Sequence, residues 1–372
     1  MKYALVTTTI NVPKLLKDYA EDFRKNKHKV ACYIVADKKT PDEAKNFCLQ
    51  LGNEYKDSIV MNYYDVFEQD SFMKKYSELD DHIPWNCIQR RNFGILKAYE
   101  EENEIIITID DDNFLEENNY IGLHGSLGEE FEIDAYSSSS DWLNICDFLE
   151  AKDNRLFFVR GFPLQQRSNY NFNISNVKKR ARVVVNGGFW LGDPDIDAVT
   201  RLAAPPDVIG YRLHENFALD FGTWSPFNSQ NTALHRDTIP AYFLSPFVGR
   251  FDDIWASYIV KAVADHLGDL ISFGHPLVKQ CRNDHNLWHD FDLEKMGMQM
   301  TDVFSDWIFS CELKGQNYES CTQELIDHIR KCLEGEKGIP EEYRMQINDF
   351  IKGYDIWLRV MKICNRSSKV VE

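Results

Sequence analysis

The sequence has no apolar run approaching the roughly 18 residues that a membrane-spanning helix needs, so no bilayer segment is predicted. It has no basic excess either: 42 Lys and Arg stand against 59 Asp and Glu, a formal net charge of −17. That balance argues against a nucleic-acid coat or an anionic membrane surface, and an anionic ligand would need local arginines and a metal. None of the nine cysteines has a partner at C-x-x-C spacing, which excludes the common zinc and redox motifs. Reduced core thiols are the expectation. Internal repeats and low-complexity linkers are absent. Met1 to Val6 carries one charge and a short apolar run before polar threonines. It reads as a first strand rather than a signal peptide, and the expected location is cytoplasmic.

What is present is enough apolar material for a large core. Hydrophobic residues make up 44% and aromatics 13% of 372 residues, which excludes a disordered chain. Strands are predicted at Tyr3–Thr9, Lys29–Val35 and, more weakly, Ser58–Met61, with helical stretches from Leu15 and Thr40. That alternation predicts an α/β fold, a mostly parallel sheet with helices on both faces. Pro84–Tyr99 reads as a helix and Asn113–Asp153 as a polar excursion over the site. Beyond Leu293 the text is helical, at 302–311, 321–333 and 341–364. The expected domains are 1–292, binding a nucleotide-sugar, and 293–372, a helical region for packing or self-association.

The stretch around which the rest is organised is Glu104 to Asn113, where five β-branched residues run straight into Asp110, Asp111 and Asp112. The run predicts a strand buried on both faces. Three adjacent carboxylates repel one another and call for a counter-charge at the strand end. A divalent cation with hard oxygen ligands, bridging to a diphosphate, is the simplest one. In open α/β sheets the ligand crevice lies at the carboxyl ends of strands, where this triplet falls. The plain alternative is a solvated acidic turn or a helix N-cap. Asp110 and Asp112 are the candidate metal ligands, and Asp111 a contact to ribose or sugar, since consecutive strand residues face opposite ways.

Other candidates follow along the chain. Thr9 and Asp37 end the first two strands and are candidate nucleotide contacts. Arg90 and Arg91 diverge by about 100° on a helix, so one can face the crevice, and Arg91 is the candidate diphosphate clamp. Arg160 and Arg167 flank a Gly-x-Pro turn. Trp190, after a glycine pair, offers a sugar-stacking platform. Asn231 lies in a polar stretch able to read hydroxyls. Asp252 and Asp253 precede an apolar helix, where one could be its N-cap and either could act as a base. His285, four residues before His289, could complete a metal shell.

These motifs resemble the reversibly glycosylated polypeptides, or UDP-arabinopyranose mutases. Ile107–Asn113 is similar to that family's strand and Asp triplet, and Arg91-Asn-Phe-Gly94 to its R-x-F-G. Val159-Arg-Gly-Phe-Pro-Leu-Gln-Gln-Arg167 looks like its V-R-G-Y-P-x-x-x-R. Trp190–Ala198 and Gly249–Ala256 echo two further segments. The stretches at 226–232 and 253–255 also resemble STELLO-type glycosyltransferases. The resemblance implies a glycosyltransferase A-type fold and a UDP-sugar bound with Mn²⁺ or Mg²⁺. It also implies self-glycosylation at Arg160 and a need for Arg167 in mutase activity. Where the family carries a histidine this chain has Gln280, so a metal ligand is either missing or replaced by His285. The resulting expectation is a metal-dependent UDP-sugar glycosyltransferase acting on a carbohydrate acceptor. The alternatives are a pyranose/furanose mutase and, in another class, a non-catalytic nucleotide-sugar-binding scaffold.

Overall fold

The computed structural model describes every residue except 169, 171–173, 283–285 and 369–372, together with the side chains of all but these and 367–368. β1 (Tyr3–Thr9), α1 (Leu16–Lys25), β2 (Val30–Ala36), α2 (Asp42–Glu54) and β3 (Ile59–Tyr64) come first. α3 (Val66–Met73), α4 (Ser77–His82) and α5 (Arg91–Glu100) then lead into β4 (Ile105–Ile109). β5 (Asn113–Leu115), α6 (Tyr120–Leu123), β6 (Glu130–Ser138), β7 (Leu149–Ala151) and α7 (Leu164–Arg167) follow. Next are β8 (Ile174–Gly192), α8 (Ala198–Ala203), β9 (Val208–Tyr211), β10 (Phe217–Leu219) and β11 (Asn231–His235). α9 (Asp252–Leu267), β12 (Asp269–Gln280), α10 (Leu287–Phe309), α11 (Tyr318–Gly335) and α12 (Glu341–Ser368) complete the fold.

The sheet runs β3-β2-β1-β4-β11-β8-β6-β10-β12-β5. Its first four strands are parallel, as the alternation of elements predicts. From β11 onward most pairings are antiparallel, so the sheet is mixed. Helices cover both faces. Alternation places Val6 and its partner Thr108 on one face, and there Gly94 of α5 seats against Val6 and Val35. Ile109 and its partner Asn231 look the other way, where Asn231 meets Tyr120 of α6, and Tyr120 packs on Tyr19 of α1. In α1 the buried Leu16, Tyr19, Ala20 and Phe23 recur at helical spacing, so its core stripe is written in the sequence.

Two stretches differ from the sequence-based expectation. Pro84–Cys87 is not helical; α5 starts at Arg91 after a short 3-10 turn, Ile88–Arg90. The excursion over 113–153 contains β6, which pairs along its whole length with β8. Its charged Glu130, Glu132 and Asp134 alternate with Phe131, Ile133 and Ala135, which hides a strand behind a polar composition. Ahead of the Gly-x-Pro turn the chain makes one isolated bridge, Val159 to Ile196. β8 is 19 residues long, because its first half pairs with β6 and its second with β12.

The division at 292/293 falls inside α10, and the last three helices share the core of the sheet domain. Trp255 of α9 stacks on Phe304 at 3.9 Å, and the Trp357 indole N–H donates to the Ile239 carbonyl at 2.9 Å. No two cysteines form a disulfide among the described residues. Nor is any helix among them long and apolar enough to cross a membrane.

Candidate active site

A cavity of about 550 Å³ opens at the carboxyl ends of β1, β2 and β4. β1 is followed on one side by β2 and β3 and on the other by β4, so the cavity sits where the strand order reverses. Its floor is Thr8–Ile10, Val35–Asp37 and Asp110–Asp112, and the turn into α5 supplies one wall. The opposite wall holds Ser229, Gln230, the start of α9, Arg160, Gln280, Arg282 and Leu293 of α10. Its size falls in the range of sites that enclose a ligand as large as a nucleotide-sugar.

Each member of the Asp triplet meets a different partner. Arg91, fully buried, bonds Asp110 through one terminal nitrogen and the Ser229 carbonyl and hydroxyl through the other, at 2.7 and 2.8 Å. Burial disfavours the Arg91 charge, but Asp110 more than restores it, and the net shift is upward. Asp111 accepts from the Thr9 hydroxyl at 2.7 Å; burial raises its pKa, with Asp110 adding to the rise. Asp112 accepts from the Gln280 amide at 3.2 Å. The neighbouring Arg90 turns instead to Gln69 and Asp80. The close approach of α5 depends on Gly94, where a Cβ would lie 2.5 Å from Val6 Cγ1.

Opposite the triplet lies a buried ionic knot. Arg160 bonds Asp195 through Nε at 2.8 Å and Nη2 at 3.0 Å, reaches Asp253 at 3.0 Å, and also bonds the Arg250 carbonyl. Burial opposes all these charges, yet pairing wins: Arg160 is raised well above its usual pKa and Asp195 is lowered. Asp253 also accepts the Ser229 N–H at 2.9 Å and its hydroxyl at 3.1 Å, so its carboxylate is fully occupied. Asp252 differs. It accepts the Gln89 amide at 2.8 Å, and burial, with Asp253 beside it, raises its pKa to about 7. The Asp252 carboxyl can therefore exchange a proton near neutrality.

The remaining predicted residues divide by place. Thr9, Asp37, Arg91, Asp110, Asp111, Asp112, Arg160, Asp252 and Asp253 all line the cavity. Asp37 accepts the Asn86 N–H at 2.8 and 2.9 Å, so it ties the wall turn to β2. Arg167 lies outside the cavity, paired with Asp197 at 2.7 Å. Trp190 is buried in the core, and Asn231 bonds Tyr120 and the Pro276 carbonyl; neither lines the cavity. His285 lies outside the described residues. Sequence reading missed Gln89, Ser229, Asp193, Asp195, Arg250 and Arg282. One signal for the aspartates was visible: Asp193, Asp195 and Asp197 alternate after a strand, and each holds an arginine.

Among the described residues no three His, Cys, Asp or Glu side chains form a ready metal cage. The donor chemistry nonetheless fits a hard divalent ion arriving with a phosphate. Such an ion needs only one or two carboxylates plus phosphate oxygens. The buried Gln280 Oε1, which meets no hydrogen-bond partner among the described residues, is a third oxygen beside Asp112.

The comparisons with known proteins agree with the resemblance read from the motifs. The model of the family described as reversibly glycosylated polypeptide matches residues 16–358. UDP-arabinopyranose mutase 2 of Arabidopsis thaliana is 28% identical over 196 residues, 50% of this chain and 49% of that protein. Probable UDP-arabinopyranose mutase 1 of Solanum tuberosum is 33% identical over 127 residues, 32% of each. The chain thus spans about a third to a half of the length of these relatives. A mannosyltransferase from Pyrobaculum calidifontis, solved with GDP-Man and Mn²⁺, covers the whole chain at 8% identity and a TM-score of 0.33. That likeness is too slight to inform fold or ligand. The match over most of its length places the chain in the reversibly glycosylated polypeptide family.

Proposed function

We propose that the chain is a UDP-sugar enzyme that breaks the anomeric C–O bond and returns the sugar to UDP as a ring isomer, the reaction its relatives are named for. The observation that carries this reading is the cavity itself, about 550 Å³, where three carboxylates follow β4 beside Arg91, and Arg160 and Arg282 also line the space. Breaking the bond develops negative charge on the β-phosphate and positive charge on the sugar. Asp110 and Asp112, with Gln280 Oε1, would hold a divalent ion whose chemistry is to neutralise the departing diphosphate. Arg91 holds Asp110 in place. Asp252 exchanges the proton of a sugar hydroxyl, oriented by Gln89. Arg160 holds Asp253, and with it Ser229, in place. Its self-glycosylation would require the guanidinium to leave two carboxylates first.

The test is calorimetric titration of UDP with and without Mn²⁺, on the wild type and on Asp110→Asn/Asp112→Asn. Metal-dependent binding that the double variant loses supports the donor site. Incubation with UDP-arabinopyranose, followed by chromatography, then separates the reactions. A new UDP-pentose isomer with no free UDP supports the mutase. Accumulating UDP points to transfer or hydrolysis, and binding without any product leaves a scaffold.

A further inference from the structure

Most arginines that line the cavity are engaged by the protein. Arg91 is taken by Asp110 and Ser229, Arg160 by Asp195 and Asp253, and Arg90 by Gln69 and Asp80. Arg250 pairs with Glu294 at 3.0 Å and lies 3.7 Å from Asp290. Arg91 Nε is also buried without a partner among the described residues, but Arg282 is different in having a terminal nitrogen to spare. It stands two residues beyond β12, and its Nε donates to Asp193 at 2.8 Å. Its Nη2 is buried and meets no hydrogen-bond partner among the described residues. The side chain is only 10% exposed, so this donor is largely withdrawn from solvent.

The charge count around it sharpens the point. Asp193 also bonds Arg201, whose other nitrogen donates to the Pro194 carbonyl at 2.8 Å. One carboxylate therefore serves two guanidinium groups, with Asp195 the next charge that acts on Arg282, and a buried N–H is left in want of an acceptor. The Asp triplet lies close by, since the Cys281 N–H donates to the Asp112 carbonyl at 3.1 Å, and its side chains already have Arg91, Thr9 and Gln280 as partners. A buried guanidinium edge of this kind matches the oxygens of a phosphate.

We propose that Arg282, held by Asp193, is the binding residue for an anionic oxygen of the ligand's diphosphate. It then fixes the phosphate end of the cavity opposite Asp252. The proposal rests on the UDP-sugar reading and deepens it by assigning a residue to the leaving group.

The test is calorimetric titration of the full chain with UDP, uridine and inorganic pyrophosphate, on the wild type, Arg282→Gln and Arg282→Lys. The expected result for Arg282→Gln is a loss of at least tenfold in affinity for UDP and pyrophosphate, with uridine unchanged within twofold. Arg282→Lys retains a charge but not the fork, so it falls between; it also serves if the glutamine variant melts early. Equal losses for UDP and uridine, or no loss for either, overturn the proposal. If the wild type binds no UDP, the UDP-sugar reading fails, and pyrophosphate alone decides. Pyrophosphate binding that Arg282→Gln loses still supports an anion site, and its absence from the wild type overturns it.

Discussion

Asp195 grips Arg160 with both carboxylate oxygens, at 2.8 and 3.0 Å, in a pair almost wholly withdrawn from solvent. Asn228 adds a bond to the same carboxylate at 2.8 Å, and Asp253 closes the other side of the guanidinium. This knot joins the loop after β8, the segment before α7 and the start of α9, three stretches far apart in sequence. Breaking a buried pair leaves one charge uncompensated, which typically costs about 3–5 kcal/mol. Asp195→Asn should therefore lower the unfolding free energy by about that amount. Urea denaturation checks it, and a loss below about 1 kcal/mol would show the knot to be loosely packed or hydrated.

The contact of α5 with the sheet yields a second expectation. Gly94 leaves no room for a methyl group: a Cβ would meet Val6 Cγ1 at 2.5 Å and Val35 Cγ2 at 2.9 Å. Gly94→Ala should push α5 outward and cost about 1–3 kcal/mol, as overpacking in close-packed cores does. Because Arg91 rides on the same helix one turn earlier, metal-dependent UDP affinity should fall as well. Thermal melting and UDP titration of this single variant read both effects; an unchanged melting temperature would refute the packing argument.

The same two regions show what was legible in the sequence. β4 and its Asp triplet stood out because five β-branched residues end in a charge cluster, a purely local pattern. The spacing suggested that one of Arg90 and Arg91 faces the crevice; both line it, and only the tertiary partners Ser229 and Asp110 show that Arg91 is the one that meets the triplet. The arginine partners of Asp193, Asp195 and Asp197 were hidden for a similar reason. Arg282, Arg160 and Arg167 lie 89, 35 and 30 residues away, and only the folded chain brings them together. β6 escaped because its exposed face carries alternating acids that lower the local hydropathy. Trp190 drew attention as an aromatic after glycines, yet at 2% exposure it is a core residue.

Asn231 gives a test that separates stability from binding. Its side chain accepts from the Tyr120 hydroxyl at 2.7 Å and donates to the Pro276 carbonyl at 2.9 Å. Asn231→Ala strands both buried partners, at about 1–3 kcal/mol for an unsatisfied group. UDP affinity should stay within twofold, because the residue does not line the cavity. A selective loss of UDP affinity at unchanged stability would return Asn231 to the ligand's contacts.

The last prediction concerns pH. Burial, and then the neighbouring Asp253, lift the Asp252 carboxyl from 3.8 to about 7, while Arg160 and the Gln89 amide pull the other way. Between those two values the folded chain holds a proton that the unfolded chain has released. Stability must therefore fall as pH rises from about 4 to about 7, and change no further on this account above that. Asp252→Asn stays neutral throughout and lacks the fall. The variant's melting temperature relative to wild type should thus climb steadily from pH 5 to about 7 and level off by pH 8. Parallel melting profiles would place the carboxyl's ionisation elsewhere. If Asp252 accepts the sugar hydroxyl's proton, wild-type turnover should rise over the same interval, whereas Asp252→Asn should lose turnover at every pH while still binding UDP.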